Sequence, residues 1–147
     1  MLKSEYAQLS KNFDTRTGDF LACKCCGKII INTDVIDHYS AMEEFKKWYA
    51  RSMPVLSGCR CDKHNKEEGG ATSSQHLLGL ASDVDLPAEF KSFSLKRKRE
   101  FMLNIRKKWF EICDKRKIAG GSGFYNGFFH LDSRKEKRST WDFSNYF

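Results

Sequence analysis

The stretch SSQHLLGLASDVD, residues 73–85, constrains this chain more than any other. It sets His76 and Asp83 seven positions apart, with Gly79 and Ala81 between them. Seven is not the i, i+4 interval that stacks two side chains on one helical face. From Leu80 to Leu86 the residues alternate instead, Leu80, Ser82, Val84 and Leu86 against Ala81, Asp83 and Asp85, which predicts a strand. His76 then falls on the loop before that strand. Gly79 permits a tight turn, and Ala81 leaves the face beside Asp83 uncrowded. A later segment, GSGFYNGFFHLD (121–132), supplies His130. Asn126-Gly127 predicts a hairpin turn there, and alternation sends Phe128, His130 and Asp132 to one face, Phe129 and Leu131 to the other. Singly, each histidine reads as a satisfied core imidazole. Together, two imidazoles and a carboxylate make a three-ligand set for zinc with an open fourth position, the pattern of a catalytic site and not of a closed structural one. If the three meet in space, the expectation is a zinc hydrolase.

The 147 residues suffice for one domain with a real core, and 40% hydrophobic with 14% aromatic residues argue against disorder. No apolar run approaches the ~20 residues of a membrane span. The opening MLKSEYAQLSKNFD lacks the apolar stretch of a secretory signal, so the chain itself does not state where it works. Residues 1–19 read as an N-terminal arm with a turn at Gly18-Asp19. Ile29 to Ile31 is strand-like. A helix is expected from Asn32 or Thr33, with Val35, Ile36, Tyr39, Met42, Phe45 and Tyr49 as its apolar stripe and Pro54 as its stop. Pro54 to Ser57 reads as a strand. Residues 62–75, polar and containing Gly69-Gly70, read as a loop. A second helix is expected over Leu95–Lys117, burying Phe101, Ile105, Trp109 and Ile112, with Gly120, Gly121 and Gly123 stopping it.

The formal net charge is +7, and residues 94–117 hold ten Lys or Arg against three acids, so that segment carries the whole excess. It reads as attraction to a polyanion, such as an anionic wall polymer or nucleic acid, or as an ordinary solvated helix face. Of six cysteines, Cys23, Cys25 and Cys26 cluster, and Cys59 and Cys61 flank Arg60. Cys23, Cys26, Cys59 and Cys61 could close a structural zinc site, the same residues could form disulfides, or most could stay reduced and half-buried.

Ser74-x-His76-x-x-Gly79-x-Ala81-x-Asp83 resembles the first zinc motif of the D-alanyl-D-alanine metallopeptidases, a family grouped with the lysostaphin-type peptidases and the hedgehog signalling domain. SGCRCDKHN resembles the family's Ser-Gly-x-Arg segment ending in His-Asn. Gly69-Gly70 resembles the Gly-Gly before the motif, Phe129-His130-x-Asp132 the second zinc motif, and Phe20 to Gly27 the cysteine-containing opening of a phage and bacterial subgroup. The resemblance spans roughly residues 20–142. It implies an α+β domain whose small antiparallel sheet carries the zinc, flanked by helices. It implies His76, Asp83 and His130 as ligands, and peptidoglycan stem peptides as substrates. It places Arg60 near the scissile peptide or the substrate carboxylate, and Ser74 in the site or orienting its loop; Tyr125 is a further candidate substrate contact. One departure stands out. Where several members carry a general base, two or three residues before the last histidine, this chain has Phe128 and Gly127. Asp132 is the nearest substitute, either as base or as a partner that fixes the imidazole, with His64 a third candidate for the base.

The leading expectation is a monomeric zinc peptidase of cell-wall peptides, carboxypeptidase or endopeptidase, in phage lysis or wall remodelling. Two others compete: a non-catalytic zinc-containing module that binds wall peptides or serves in a virion, and a basic nucleic-acid-binding domain, which explains the charge but leaves the His-Asp-His set unused.

Overall fold

A computed structural model of the chain describes residues 8–15 and 20–147; the expected turn at Gly18-Asp19 and the first seven residues lie outside them. Within the expected arm, Gln8–Ser10 (β1) and Phe13–Asp14 (β2) pair as an antiparallel hairpin that buries Leu9 and Phe13. The first long helix, α1, runs over Thr33–Tyr49. Asn32 caps it, its Oδ1 accepting the Val35 amide at 2.9 Å, which satisfies one of the amides that a helix start leaves open. Glu43 on α1 holds the hairpin by accepting from the Ser10 hydroxyl and from the Asn12 amide and side chain. The helix stops at Ala50, in a left-handed conformation (φ 54°), ahead of Pro54. Its buried stripe is Val35, His38, Met42, Phe45 and Tyr49, at alternating intervals of three and four, together with Tyr39. His38 lies inside that stripe, whereas Ile36, expected there, is exposed.

Residues Val55–Ser57 form β3, and Ile29 to Ile31, expected as strand-like, forms no strand. The expected loop from 62 is partly helical: α2 covers Asp62–Glu67, capped by the Cys61 Sγ, and Gln75–Leu78 makes a single 3-10 turn. Segments of six and four residues are too short to show apolar periodicity, which is why neither was legible. Ala81–Asp85 forms β4. The second long helix, α3, spans Leu95–Lys115 and buries Met102, Ile105, Trp109, Ile112 and Cys113. It ends before the glycines, with Lys117 in a left-handed turn (φ 59°). Gly121 and Gly123 belong instead to β5, Gly121–Phe124, which turns through Gly127 (φ 89°) into β6, Phe128–Asp132. β7, Ser139–Asp142, completes the sheet.

The five-stranded sheet has the order β3-β4-β6-β5-β7. All its pairings are antiparallel except β5 with β7, which is parallel. The fold is α+β, as expected, with a mixed sheet because of that last strand. Val84, Phe129, Leu131 and Phe124 pack with Tyr39, Met42 and Phe45 of α1 and Ile105, Trp109 and Ile112 of α3 in one core. Strand alternation therefore commits the opposite face, with Asp83 and His130, to something other than packing. No helix among the described residues is long and apolar enough to cross a membrane.

Candidate metal centre

In the β4–β6 register Asp83 stands directly opposite His130. Directly opposed residues hold their Cβ atoms ~5 Å apart, so pairing alone brings two of the three candidate ligands together. His76 arrives from the 3-10 turn. Ser74 caps that turn, its Oγ accepting the His76 amide at 3.2 Å, and Gly79 closes it with φ 73°. The result is tight: His76 Nε2 lies 3.2 Å from Asp83 Oδ2, and His130 Nδ1 lies 2.9 Å from Asp83 Oδ1. One donor atom from each of the three residues lies within 4.8 Å of the others.

The outer nitrogens of both rings are occupied. His76 Nδ1 is 2.6 Å from the Gly58 carbonyl oxygen, which can only accept, so the proton sits on Nδ1 and the lone pair on Nε2. His130 Nε2 donates to Asp132 Oδ2 at 2.8 Å, which leaves Nδ1 facing Asp83. The two ring nitrogens free to coordinate and the Asp83 carboxylate thus share one point. Burial pushes the His76 pKa down, partly offset by Asp83. For His130 burial also opposes charge, but hydrogen bonds to Asp132 and Asp83 outweigh it and raise its pKa to about 9. Burial likewise opposes the charge on Asp83, yet the two imidazoles hold it well below the ordinary carboxylate range.

Asp132 is fully buried and committed. Besides His130, it accepts from Arg134 through Nε (2.9 Å), Nη2 (2.7 Å) and the backbone amide (3.1 Å). Gly121 makes room for it, since a Cβ there would lie 2.3 Å from Asp132 Oδ2. Gly123 does the same for Trp141, where a Cβ would meet the indole Nε1 at 2.3 Å. The indole then stands 4.9 Å from the His130 ring and donates to the Tyr125 hydroxyl at 2.8 Å. Tyr125 stacks on Phe128, their centroids 4.4 Å apart.

The three residues open onto a cavity of about 720 Å³, lined also by Arg60, Glu68, Ser74, Tyr125, Arg134 and Trp141. Arg60 reaches Asp83 Oδ2 at 3.3 Å and the Ser57 hydroxyl at 3.1 Å. Of the residues expected from sequence, His76, Asp83, His130, Arg60, Ser74 and Tyr125 meet at this cavity. Asp132 lies behind His130, and His64 is buried in α2, 3.5 Å from Glu68, outside the lining. Sequence reasoning missed Glu68, Arg134 and Trp141. Arg134 follows the Asp132 motif by two residues, and that spacing was a readable signal; Trp141 sits on a strand that pattern did not predict.

A second cluster gathers Cys23, Cys25, Cys26 and Cys61. The expected set of Cys23, Cys26, Cys59 and Cys61 is corrected here. Cys59 is buried, its thiol pushed up to about 11 by desolvation, and it lies outside the group, whereas Cys25 joins it. All six cysteines are free.

The family model for Peptidase M15 matches residues 11–132. The chain belongs to the peptidase M15 family. No curated protein and no solved structure matches it. As an M15 family member the chain is a metallopeptidase by descent, and the matched span contains all three candidate ligands.

Proposed function

We propose that this M15 chain is a zinc peptidase acting on peptidoglycan stem peptides at the bacterial cell wall, as carboxypeptidase or endopeptidase. The observation that carries this reading is the convergence of His76 Nε2, the Asp83 carboxylate and His130 Nδ1 on the floor of an open cavity. The donor set fits zinc: one carboxylate and two imidazole nitrogens, each ring held by a partner on its far side, and a bound cation would displace the proton that the His130 ring otherwise carries. A zinc ion held there supplies Lewis acidity, polarising the scissile carbonyl and lowering the pKa of a water toward ~7.

The chain's own residues do the rest. Asp132 orients His130, and the Gly58 carbonyl orients His76. Arg60 holds Asp83 and presents its guanidinium to the cavity, placed to stabilise negative charge on the substrate. Tyr125 and Trp141 form a wall for the peptide. For the proton, Asp132 is already spent on Arg134 and His130. Among the described residues, Glu68 is the carboxylate that lines the cavity besides Asp83, and its side chain is 50% exposed. Glu68 takes a proton from the attacking water and returns it to the leaving amine.

The test is digestion of peptidoglycan read by the mass of released fragments. Release of D-Ala or cleaved stem peptides is expected, stopping with a chelator and in His76→Ala. Glu68→Gln is expected to lower turnover by ~10²–10⁴-fold with zinc still bound. Unchanged turnover in that variant removes Glu68 from the mechanism. Bound zinc and wall peptides with no hydrolysis under any condition would instead establish a non-catalytic binding module, a reading that Phe128 and Gly127 at the usual base positions favour.

A further inference from the structure

We propose that Cys23, Cys25, Cys26 and Cys61 form a second metal site, a tetrathiolate that takes zinc or a similar thiophilic divalent cation and staples the Arg60 segment to the knuckle preceding α1. It is independent of the His-Asp-His reading. The four sulfurs come from two segments far apart in sequence, yet all lie within 4.8 Å of one another. A tetrahedral site with metal–sulfur bonds of ~2.3 Å has sulfur–sulfur edges of ~3.8 Å. Cys23 lies 3.6 Å from Cys25 and 3.7 Å from Cys61, while the Cys25–Cys61 edge of 3.1 Å must open slightly. A disulfide needs ~2.05 Å and would satisfy only two of the four sulfurs.

The backbone is arranged for thiolates. The knuckle closes through Gly27 (φ 76°), whose amide donates to the Cys23 carbonyl at 2.8 Å. The Cys61 amide points at Cys23 Sγ, and the His64 amide at Cys61 Sγ, both at 3.4 Å. Burial raises the Cys23 pKa, but the amides of Cys61, Cys25 and Cys26 more than offset it and bring the value to about 6. Hydrogen bonding to Cys61 pushes Cys25 up to about 12.

The position explains what such a site would do. The Cys59 amide donates to the Leu21 carbonyl at 2.9 Å, and Gly58 passes so close that a Cβ would lie 2.7 Å from that oxygen. Residues 58–61 also supply the Gly58 carbonyl on His76 and the Arg60 guanidinium on Asp83. A metal bridging Cys61 to the knuckle therefore fixes the segment that orients two residues of the main site.

The experiment is metal content per chain, with cobalt substitution. Wild type is expected to hold about two ions, and His76→Ala about one, whose cobalt form shows intense sulfur-to-metal charge-transfer absorption. The double variant Cys26→Ser, Cys61→Ser is expected to lose that band. A serine hydroxyl in place of the Cys61 thiol still caps α2, and Cys26 is exposed, so the fold is retained. Wild type with one ion that His76→Ala abolishes overturns this proposal and leaves the main site standing. One ion with the thiolate band in both proteins supports this proposal and overturns the main site. A Cys25–Cys61 disulfide found by mass in freshly purified protein overturns it as well.

Discussion

At the scale of single residues, Asp132 shows how burial decides a role. Its carboxylate gains three hydrogen bonds from Arg134 and one from His130, which hold it charged despite complete burial. A base must be free to receive a proton, and four hydrogen bonds argue for the other role, a partner that fixes the imidazole. Asp132→Asn removes the charge that pairs Arg134 and fixes the His130 ring. Zinc affinity is expected to fall ~10–100-fold, with turnover recovered at saturating zinc. Measuring both on one variant decides the matter, because intact affinity with abolished turnover would make Asp132 the base after all.

At the scale of elements, β5 and α1 each carry a residue whose placement serves the site. Gly123→Ala puts a methyl group into the Trp141 indole. The indole must move, breaking its bond to Tyr125, and overpacking of this kind costs ~1–3 kcal/mol. Lower thermal stability and weaker peptide binding are expected together; wild-type values of both would mean the wall is not held as described. On α1, His38 bridges the Ser133 and Ser82 hydroxyls at 2.6 and 2.9 Å, tying the helix to β4 and to the chain after β6. Hydroxyls can donate or accept, so the neutral ring is satisfied on both nitrogens. Burial lowers its pKa from 6.5 to about 3. The unfolded chain therefore binds the extra proton first as pH falls. The stability this group contributes is complete above pH 6.5 and is lost progressively down to about 3, by an amount on the order of a few kcal/mol. His38→Gln is expected to flatten that part of the stability–pH curve in denaturant titrations. An unchanged slope would assign acid sensitivity to other groups.

At the scale of the molecule, a ligand that binds only the folded state stabilises it by mass action. Free zinc at ~100 times its dissociation constant is expected to add about 2.7 kcal/mol to unfolding stability, and a chelator to remove it. A melting temperature that ignores both would exclude zinc as a resident ion. The charge excess on α3 is partly spent inside the fold. Arg106 stacks on Phe124 and donates to the Ser122 and Trp141 carbonyls, while Lys115 and Arg116 pair with Glu44 of α1. Those contacts bind helix to sheet and helix to helix, so fewer of the segment's ten cations are free for an anionic wall polymer than their number suggests.

Local pattern was enough for the two long helices, the β4 alternation and the hairpin at Asn126-Gly127, and it singled out the three candidate residues that the fold brings together, because periodicity and turn chemistry act over a few residues. The spacing of His76 and Asp83, with Gly79 to close the turn, likewise belongs to the chain alone. What only the tertiary structure decided was each group's partner. His38 entered the core through a stripe that reads as apolar. The Gly58 carbonyl met His76, and Trp141 met His130 through a parallel strand with no pattern of its own. Cys25, and not Cys59, joins Cys23, Cys26 and Cys61 in the thiol cluster, although Cys59 stands two residues from Cys61. Such pairings depend on which segments pack side by side, and sequence separation carries no record of that distance.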